Sequence, residues 1–497
     1  MLLHHFFDQT ATRLPAKTAL VCGDQRHSYS ELAERVDQAA AALQARGIMR
    51  GDRVALFMDN TAELVVNMFA ALKAGAVFMP ISPLTKQAKL HYLLNDSGAS
   101  ALITQASLAS TTRPALTQAS HVHTVWHDGR PEGADDGLLG PDAALIDQDL
   151  ACLIYTSGTT GEPKGVMLSH LNMVSAARAV NSYLGLLESD VILCALPLAF
   201  SYGIYQVLMG FAVGATVVLE RSFAFPVKVL EVMARERATV FPGVPTIFSA
   251  LANVPTAIAQ HDLSALRLIT NAGAALPEAL IGKIRGLFPQ AQLLSMYGMT
   301  ECKRVTYLPH DQLDIRPTSV GKGMPNQEVW LVDEAGQRLP PGSTGELVIR
   351  GSHVMRGYWG KPIETAQRLR PGPLPGETVL YSGDLFRTDA EGYLYFVSRK
   401  DDIIKSRGEK VSPREVENAL YALEGVFEAA VVGVPDDLLG QAVKAFVVPK
   451  PGITLSEREV IKHCLGCLES FMAPKHVQFV DSLPTTDTGK IRKAELN

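Results

Sequence analysis

No apolar run in this chain approaches the ~20 residues that a membrane-crossing helix requires; the longest are about the length of a strand. The opening segment MLLHHFFDQTATRLPAK lacks both a basic lead and a long apolar core, so no secretory leader is expected. Its His4 and His5 are expected on a helix surface rather than as metal ligands. Positive charge is not in excess either. Lys and Arg number 46 against 51 Asp and Glu, a formal net charge of -5, which argues against nucleic acid as the main partner. Internal repeats and low-complexity tracts are absent. Cysteine is sparse: Cys22, Cys152, Cys194, Cys302, Cys464 and Cys467. The first four lie in or beside apolar runs, as buried thiols do. Cys464 and Cys467 form a C-x-x-C within EVIKHCLGCLESF, at helical spacing, and no second pair with ligand spacing follows. Thiols on a helix are therefore expected, not a zinc or redox pair, and a reducing cytoplasm fits.

What is present is a long, ordinary globular composition. A chain of 497 residues, 47% apolar and 20% charged, exceeds one core and predicts two or more domains. Between Ser28 and Ala76 the pattern reads helix (SYSELAERVDQAAAALQARG, closing on Gly47), strand (DRVALFMD), helix (NTAELVVNMFAALKAGA). The alternation continues through SALITQ, LACLIYTS, VILCALP, GATVVLE, the helix PVKVLEVMARERA, TVFPGVP and LRLITNAG. Strands separated by helices of this length imply parallel sheets covered on both faces. After about Pro325 the texture changes to hairpins with Gly- and Pro-rich turns, first EVWLVDEAGQRLPPGSTGELVIRG and then DAEGYLYFVSR. SRKDDIIKSRGEK, with eight charged residues in thirteen, leads into a compact α+β tail. The expected architecture is α/β: a large N-terminal domain (1–398) of helix-covered parallel sheets with a small β-barrel-like region. A hinge (399–404) then leads to a small, mobile α+β C-terminal domain (405–497).

One stretch fits neither core nor helix. YTSGTTGEPKG, Tyr155 to Gly165, holds three glycines, four Ser/Thr hydroxyls and Lys164. The glycines let backbone amides face one point, and the hydroxyls and lysine add donors, a surface suited to polyphosphate. A polar hairpin turn would serve for Gly and Thr alone; the lysine and the density of hydroxyls favour the phosphate grip. It is not the Walker loop, which needs G-x-x-x-x-G-K-[ST] leading straight into a helix. Ser169 is a candidate N-cap for the helix that follows.

With its flanking residues, this strip closely resembles the signature of the adenylate-forming superfamily, which includes acyl-CoA synthetases, stand-alone and peptide-synthetase adenylation domains, and luciferases. NAGAALP (Asn271–Pro277) resembles its adenine loop and SMYGMTE (Ser295–Glu301) its Y-G-x-T-E motif. YSGDLFRTDAEGYLYFVSRKDDIIKSRGEKVSP resembles the ribose motif and interdomain hinge. PTTDTGKIRK (Pro484–Lys493) resembles the terminal catalytic-lysine motif, so the likeness spans essentially the whole chain.

The resemblance implies ATP-dependent activation of a carboxylic acid through an acyl-adenylate, with release of pyrophosphate, and transfer to a phosphopantetheine thiol. Thr156, Ser157, Gly158, Thr159, Thr160 and Lys164 would cradle the β- and γ-phosphates. Glu301, with Thr156, would hold Mg²⁺, and Thr300 would reach the α-phosphate. Asn271, Gly273, Ala274, Tyr297 and Gly298 would form the adenine site, while Asp384 would take the ribose and Arg399 the ribose or a phosphate. Lys490 would bridge carboxylate and α-phosphate, then swing away as the small domain turns about Asp401. Gly408 would leave room for pantetheine. The acceptor would be CoA or a separate carrier protein, since no carrier domain follows Lys490.

The acid pocket should draw on Phe200, Ser201, Tyr202, Tyr205, Pro242, Gly243, Gly273, Met296 and Arg304. Amino-acid-activating relatives place an Asp where Ser201 stands, and a serine cannot neutralise a buried ammonium. A small-molecule carboxylic acid without an essential α-amino group is therefore expected. Arg304 either meets a polar or anionic tail of the substrate or turns outward into an ion pair. The rival readings are an amino-acid–carrier-protein ligase, for proline or a similar residue, and a non-catalytic nucleotide-binding sensor. Nothing in the chain demands the oxygen chemistry of a luciferase.

Overall fold

A computed structural model describes residues 1–117, 119, 121–128, 144–156, 162–400, 402–406, 409–436, 439–485 and 491–496. Its large part is built on two helix-covered sheets. The nine-stranded sheet runs in the order Lys322–Gly323, Thr306–Leu308, Gln292–Tyr297, Leu268–Asn271, Val240–Gly243, Val191–Cys194, Thr216–Leu219, Thr18–Cys22, Gln25–Ser28. Its six central strands are mutually parallel and only the margins are antiparallel. Leu268–Asn271 is buried at every position, as a parallel strand covered on both faces must be.

The seven-stranded sheet runs Gly357–Tyr358, Lys164–Ser169, Leu150–Thr156, Val77–Ile81, Arg53–Phe57, Ala101–Thr104, Thr124–Trp126. It is parallel except where Leu150–Thr156 turns back onto Lys164–Ser169 and where Gly357–Tyr358 clips the outer edge. One continuous core joins the two sheets. The rings of Phe7, Phe69 and Phe211 lie within it at centroid spacings of 4.9 to 5.8 Å.

The helices start and stop where local chemistry directs. Tyr29–Ala45 is opened by a reciprocal Ser28/Glu31 capping box and His170–Leu184 by Ser169/Asn172, the first ending before Gly47 as the pattern predicts. Glu328–Val332 pairs antiparallel with Thr344–Arg350, and Thr378–Thr388 with Leu394–Arg399, both in one five-stranded sheet. A last sheet carries Ile404–Ser406, Glu409–Val411, Val426–Asp436, Gly440–Pro449 and His476–Phe479. It packs against Pro413–Ala422 and Glu457–Cys467 around its own core of Val416, Leu420, Val431, Val447 and Val460.

The cysteines follow expectation: all six are free, with Cys464 buried and Cys467 exposed on one helix. His4 does not. It is buried against His170, edge to face at 6.1 Å, because the first helix lies across Ser201–Val213 rather than on the surface. Among the described residues no helix is long and apolar enough to cross a membrane.

Candidate active site

Four adjacent parallel strands of the nine-stranded sheet deliver the candidate residues to one edge. Val191–Cys194 leads to Phe200 and to Ser201, Tyr202 and Tyr205 at the start of a helix. Val240–Gly243 ends in Pro242 and Gly243. Leu268–Asn271 leads to the exposed Gly273 and Ala274, and Gln292–Tyr297 leads to Gly298, Thr300, Glu301 and Arg304. Loops at the carboxyl ends of parallel strands form the crevice where ligands of open α/β sheets bind. Two glycines are required by close approach. A methyl at Gly298 would overlap the Lys303 carbonyl oxygen, and one at Gly243 would lie 2.5 Å from the Phe248 ring.

On one side of the crevice the Tyr297 hydroxyl donates to Asp384 Oδ2 at 2.6 Å. Asp384 Oδ1 faces Arg399 Nε at 3.7 Å. The Tyr297 ring stands edge-on to Phe386 at 4.8 Å. Glu301, 9% exposed, accepts a 2.7 Å bond from the Tyr358 hydroxyl. Burial, then the charge of Glu301, push the Tyr358 phenol well above its ordinary range, so it remains a donor. Lys164 Nζ stands 5.7 Å from the centre of the same ring. One tyrosine therefore connects the end of the glycine–threonine strip to Glu301, and Arg399 is close enough to Tyr358 to influence its ionisation.

The strip itself links antiparallel neighbours: Thr156 pairs with Lys164 and Tyr155 with Gly165. Its base is fixed from outside by Tyr155, which donates to Asp96 at 2.5 Å, and by Tyr92, which donates to the Pro163 carbonyl at 3.1 Å. Ser157, Gly158, Thr159 and Thr160 lie outside the described residues, as do Asp401, Gly408 and Lys490.

On the other side, the Tyr202 hydroxyl bonds the Thr270 carbonyl at 2.8 Å. Tyr183 reaches Met296 Sδ at 3.0 Å and stacks flat on Tyr307 at 4.0 Å. Arg304 does not turn outward into an ion pair: it is 3% exposed and its guanidinium lies 4.2 Å from the centre of the Tyr202 ring. Asn271 Nδ2 donates to the Ala274 carbonyl at 2.9 Å, while its buried Oδ1 has no hydrogen-bond partner.

Three contributors escaped the sequence reading. Tyr358 sits in RGYWG, which belongs to none of the motifs singled out in the sequence. Tyr183 was hidden in a helix. Lys303, adjacent to Arg304, is 3% exposed at φ 66°, and donates to the Ser201 carbonyl at 2.6 Å.

Fold and site together define an adenylate-forming enzyme. The chain belongs to the AMP-binding enzyme family, matching it over residues 7–359 and its C-terminal domain over residues 415–490. It is an AMP-forming acid–thiol ligase. A feruloyl-CoA synthase of an Amycolatopsis species is 37% identical over 487 residues, 97% of this chain and 96% of that one. A long-chain-fatty-acid–CoA ligase of Bacillus subtilis is 30% identical over 535 residues, 99% and 94% of the two chains. The crystal structure of an anthranilate CoA ligase with anthranoyl-AMP superposes with a TM-score of 0.92 at 29% identity, over 100% of this chain and 96% of that one. These relatives are named for three different kinds of acid.

Proposed function

We propose that this ligase takes a carboxylic acid without an essential α-amino group, and that the residues gathered at the crevice divide the work as follows. The strip from Thr156 to Lys164 holds the β- and γ-phosphates of ATP. Asp384 and Arg399 hold the ribose, while Tyr297 and the Asn271–Ala274 loop border the adenine. The acid's carboxylate attacks the α-phosphorus, and pyrophosphate leaves. Lys490 brings the two anions together, and Thr300 contacts the α-phosphate. Glu301 and Thr156 carry the hard oxygen donors that suit Mg²⁺, which when bound neutralises phosphate charge. The phosphopantetheine thiol of CoA or of a separate carrier protein then attacks the acyl carbon, and AMP leaves.

For that second step residues 405–497 act as a small domain that turns about a hinge at 399–404, with Asp401 as pivot and Gly408 beside the thiol channel. The separate core of the last sheet supports such a unit. Six free cysteines support a cytoplasmic setting.

The observation that carries the nucleotide reading is the Lys164–Tyr358–Glu301 connection, which brings cation, hydroxyl and carboxylate together from three distant segments. For the acid, the Ser201 carbonyl already accepts from the buried Lys303 side-chain nitrogen, so a substrate ammonium there would find a lysine where it needs a carboxylate. ATP–pyrophosphate exchange across plain acids and amino acids, with hydroxylamine trapping, tests both points. Plain acids should drive exchange and give hydroxamates. Exchange driven by amino acids alone would restore the amino-acid–carrier-protein reading, and none with any acid would favour a nucleotide sensor.

A further inference from the structure

Two basic side chains meet at the acid pocket with no acid of their own. Lys303 and Arg304 are each 3% exposed, and among the described residues no carboxylate lies within 4.0 Å of either. Their contacts are aromatic and neutral. Lys303 Nζ stands 4.0 Å from the Tyr205 ring centre and 5.5 Å from that of Tyr202, and it donates to the Ser201 carbonyl. Arg304 lies over Tyr202 and within reach of the Tyr183 hydroxyl, while its buried Nε has no partner at all. Ring faces recover far less than desolvating an unpaired charge costs.

The rest of the pocket is built to maintain this arrangement. Lys303 adopts a left-handed backbone, φ 66°, that a lysine rarely takes, and its carbonyl fills the space left by the missing side chain of Gly298. Both side chains lie inward, against Ser201 and Tyr202, rather than out in water. A purely structural pair would have the ion partners that Arg267 and Arg316 find elsewhere in this chain, with Asp190 and with Asp389.

We infer that the acid this enzyme activates carries a second anionic group, which Arg304 and Lys303 receive at the far end of the pocket from the reacting carboxylate. The inference rests on the reading of the Ser201–Tyr205 wall as the acid pocket. An ω-carboxylate fits best, since the planar guanidinium with a free Nε offers it a fork and Lys303 a second point. A methyl-ended acid of equal length would leave Arg304 buried with no anion beside it and its Nε unpaired.

The test is pyrophosphate exchange with straight-chain dicarboxylic and aryl dicarboxylic acids, each beside the monocarboxylic acid of the same skeleton, on the wild type and on Arg304→Met. The wild type should favour the best dianion over its monoanionic partner by on the order of 100-fold in kcat/KM. Arg304→Met should cut that preference by about tenfold or more. The preference is a ratio within one sample, so partial misfolding does not affect it, and the wild-type panel stands without the variant. Exchange with monoanionic acids alone, or an unchanged ratio in Arg304→Met, would overturn the inference and leave acid activation intact. No exchange with either series or any other acid would overturn the underlying reading and the inference with it.

Discussion

Tyr358 shows how much one hydroxyl can carry. It is the only protein donor recorded on the Glu301 carboxylate among the described residues, and its ring is also the face presented to Lys164. Tyr358→Phe keeps the ring and removes the bond. A hydrogen bond to a charged group contributes about 1.5–3 kcal/mol, so ATP–pyrophosphate exchange should fall roughly 10- to 100-fold while the protein stays folded by circular dichroism. Histidine gives a prediction of a different kind. Burial is the main cause that lowers His4 to about 3, and His170 and His353 to about 4. All three lie below the ordinary 6.5, so the unfolded chain binds protons first as the pH drops. The stability they permit is complete above about pH 6.5 and is lost as the pH falls toward 4. Urea unfolding across that window should show a steep loss. His353→Leu, replacing a ring with neither nitrogen paired, should flatten the slope by about one proton. At this scale the sequence was most informative about residues inside motifs. It was least informative about Tyr358 and Lys303, whose partners come from other segments, because a side chain's role there depends on a neighbour that linear spacing does not identify.

At the scale of elements, the alternation of apolar strands and capped helices was legible almost throughout, because period and capping chemistry are local. Ser169 illustrates this: its hydroxyl accepts from the Asn172 backbone amide and its own backbone amide donates to Asn172 Oδ1, as its position before an apolar helix suggested. Ser169→Ala should lower unfolding free energy by about 1 kcal/mol. Because the cap lies at the far end of the Lys164–Ser169 strand from the nucleotide strip, the KM for ATP should stay within about twofold; a large KM change would show that the cap positions the strip. The turning back of Leu150–Thr156 onto Lys164–Ser169 was less legible. Strand-loop-strand reads the same as strand-loop-helix until pairing is seen, and here Leu150–Thr156 pairs antiparallel with Lys164–Ser169. The two-residue strand Gly357–Tyr358 gave no periodic signal at all.

For the whole molecule, the order of motifs along the chain was enough to place it in its family, and the two-sheet core with a separate C-terminal core agrees with that. Lys490 belongs to this scale, because its proposed work depends on where an entire small domain stands. Lys490→Ala should reduce acyl-adenylate formation by on the order of 100-fold or more. Thiol transfer from acyl-adenylate supplied ready-made should remain within about threefold of wild type, read by mass spectrometry of the thioester. Equal loss of both steps would contradict a rotating domain. The identity of the acid was not legible, since pocket chemistry depends on which side chains turn inward, and Arg304 was open to both directions until its burial was seen.

The clip made by Gly357 and Tyr358 also bears on how the enzyme is born. The strand Lys164–Ser169 emerges from the ribosome long before the pair that covers its outer edge. At roughly 5–20 residues per second, that edge waits uncovered for on the order of ten seconds or longer. A nascent chain stalled in this interval would offer the edge of its seven-stranded sheet to any other strand nearby, so the stretch between the two segments is where translation speed and chaperone attendance should matter most to yield.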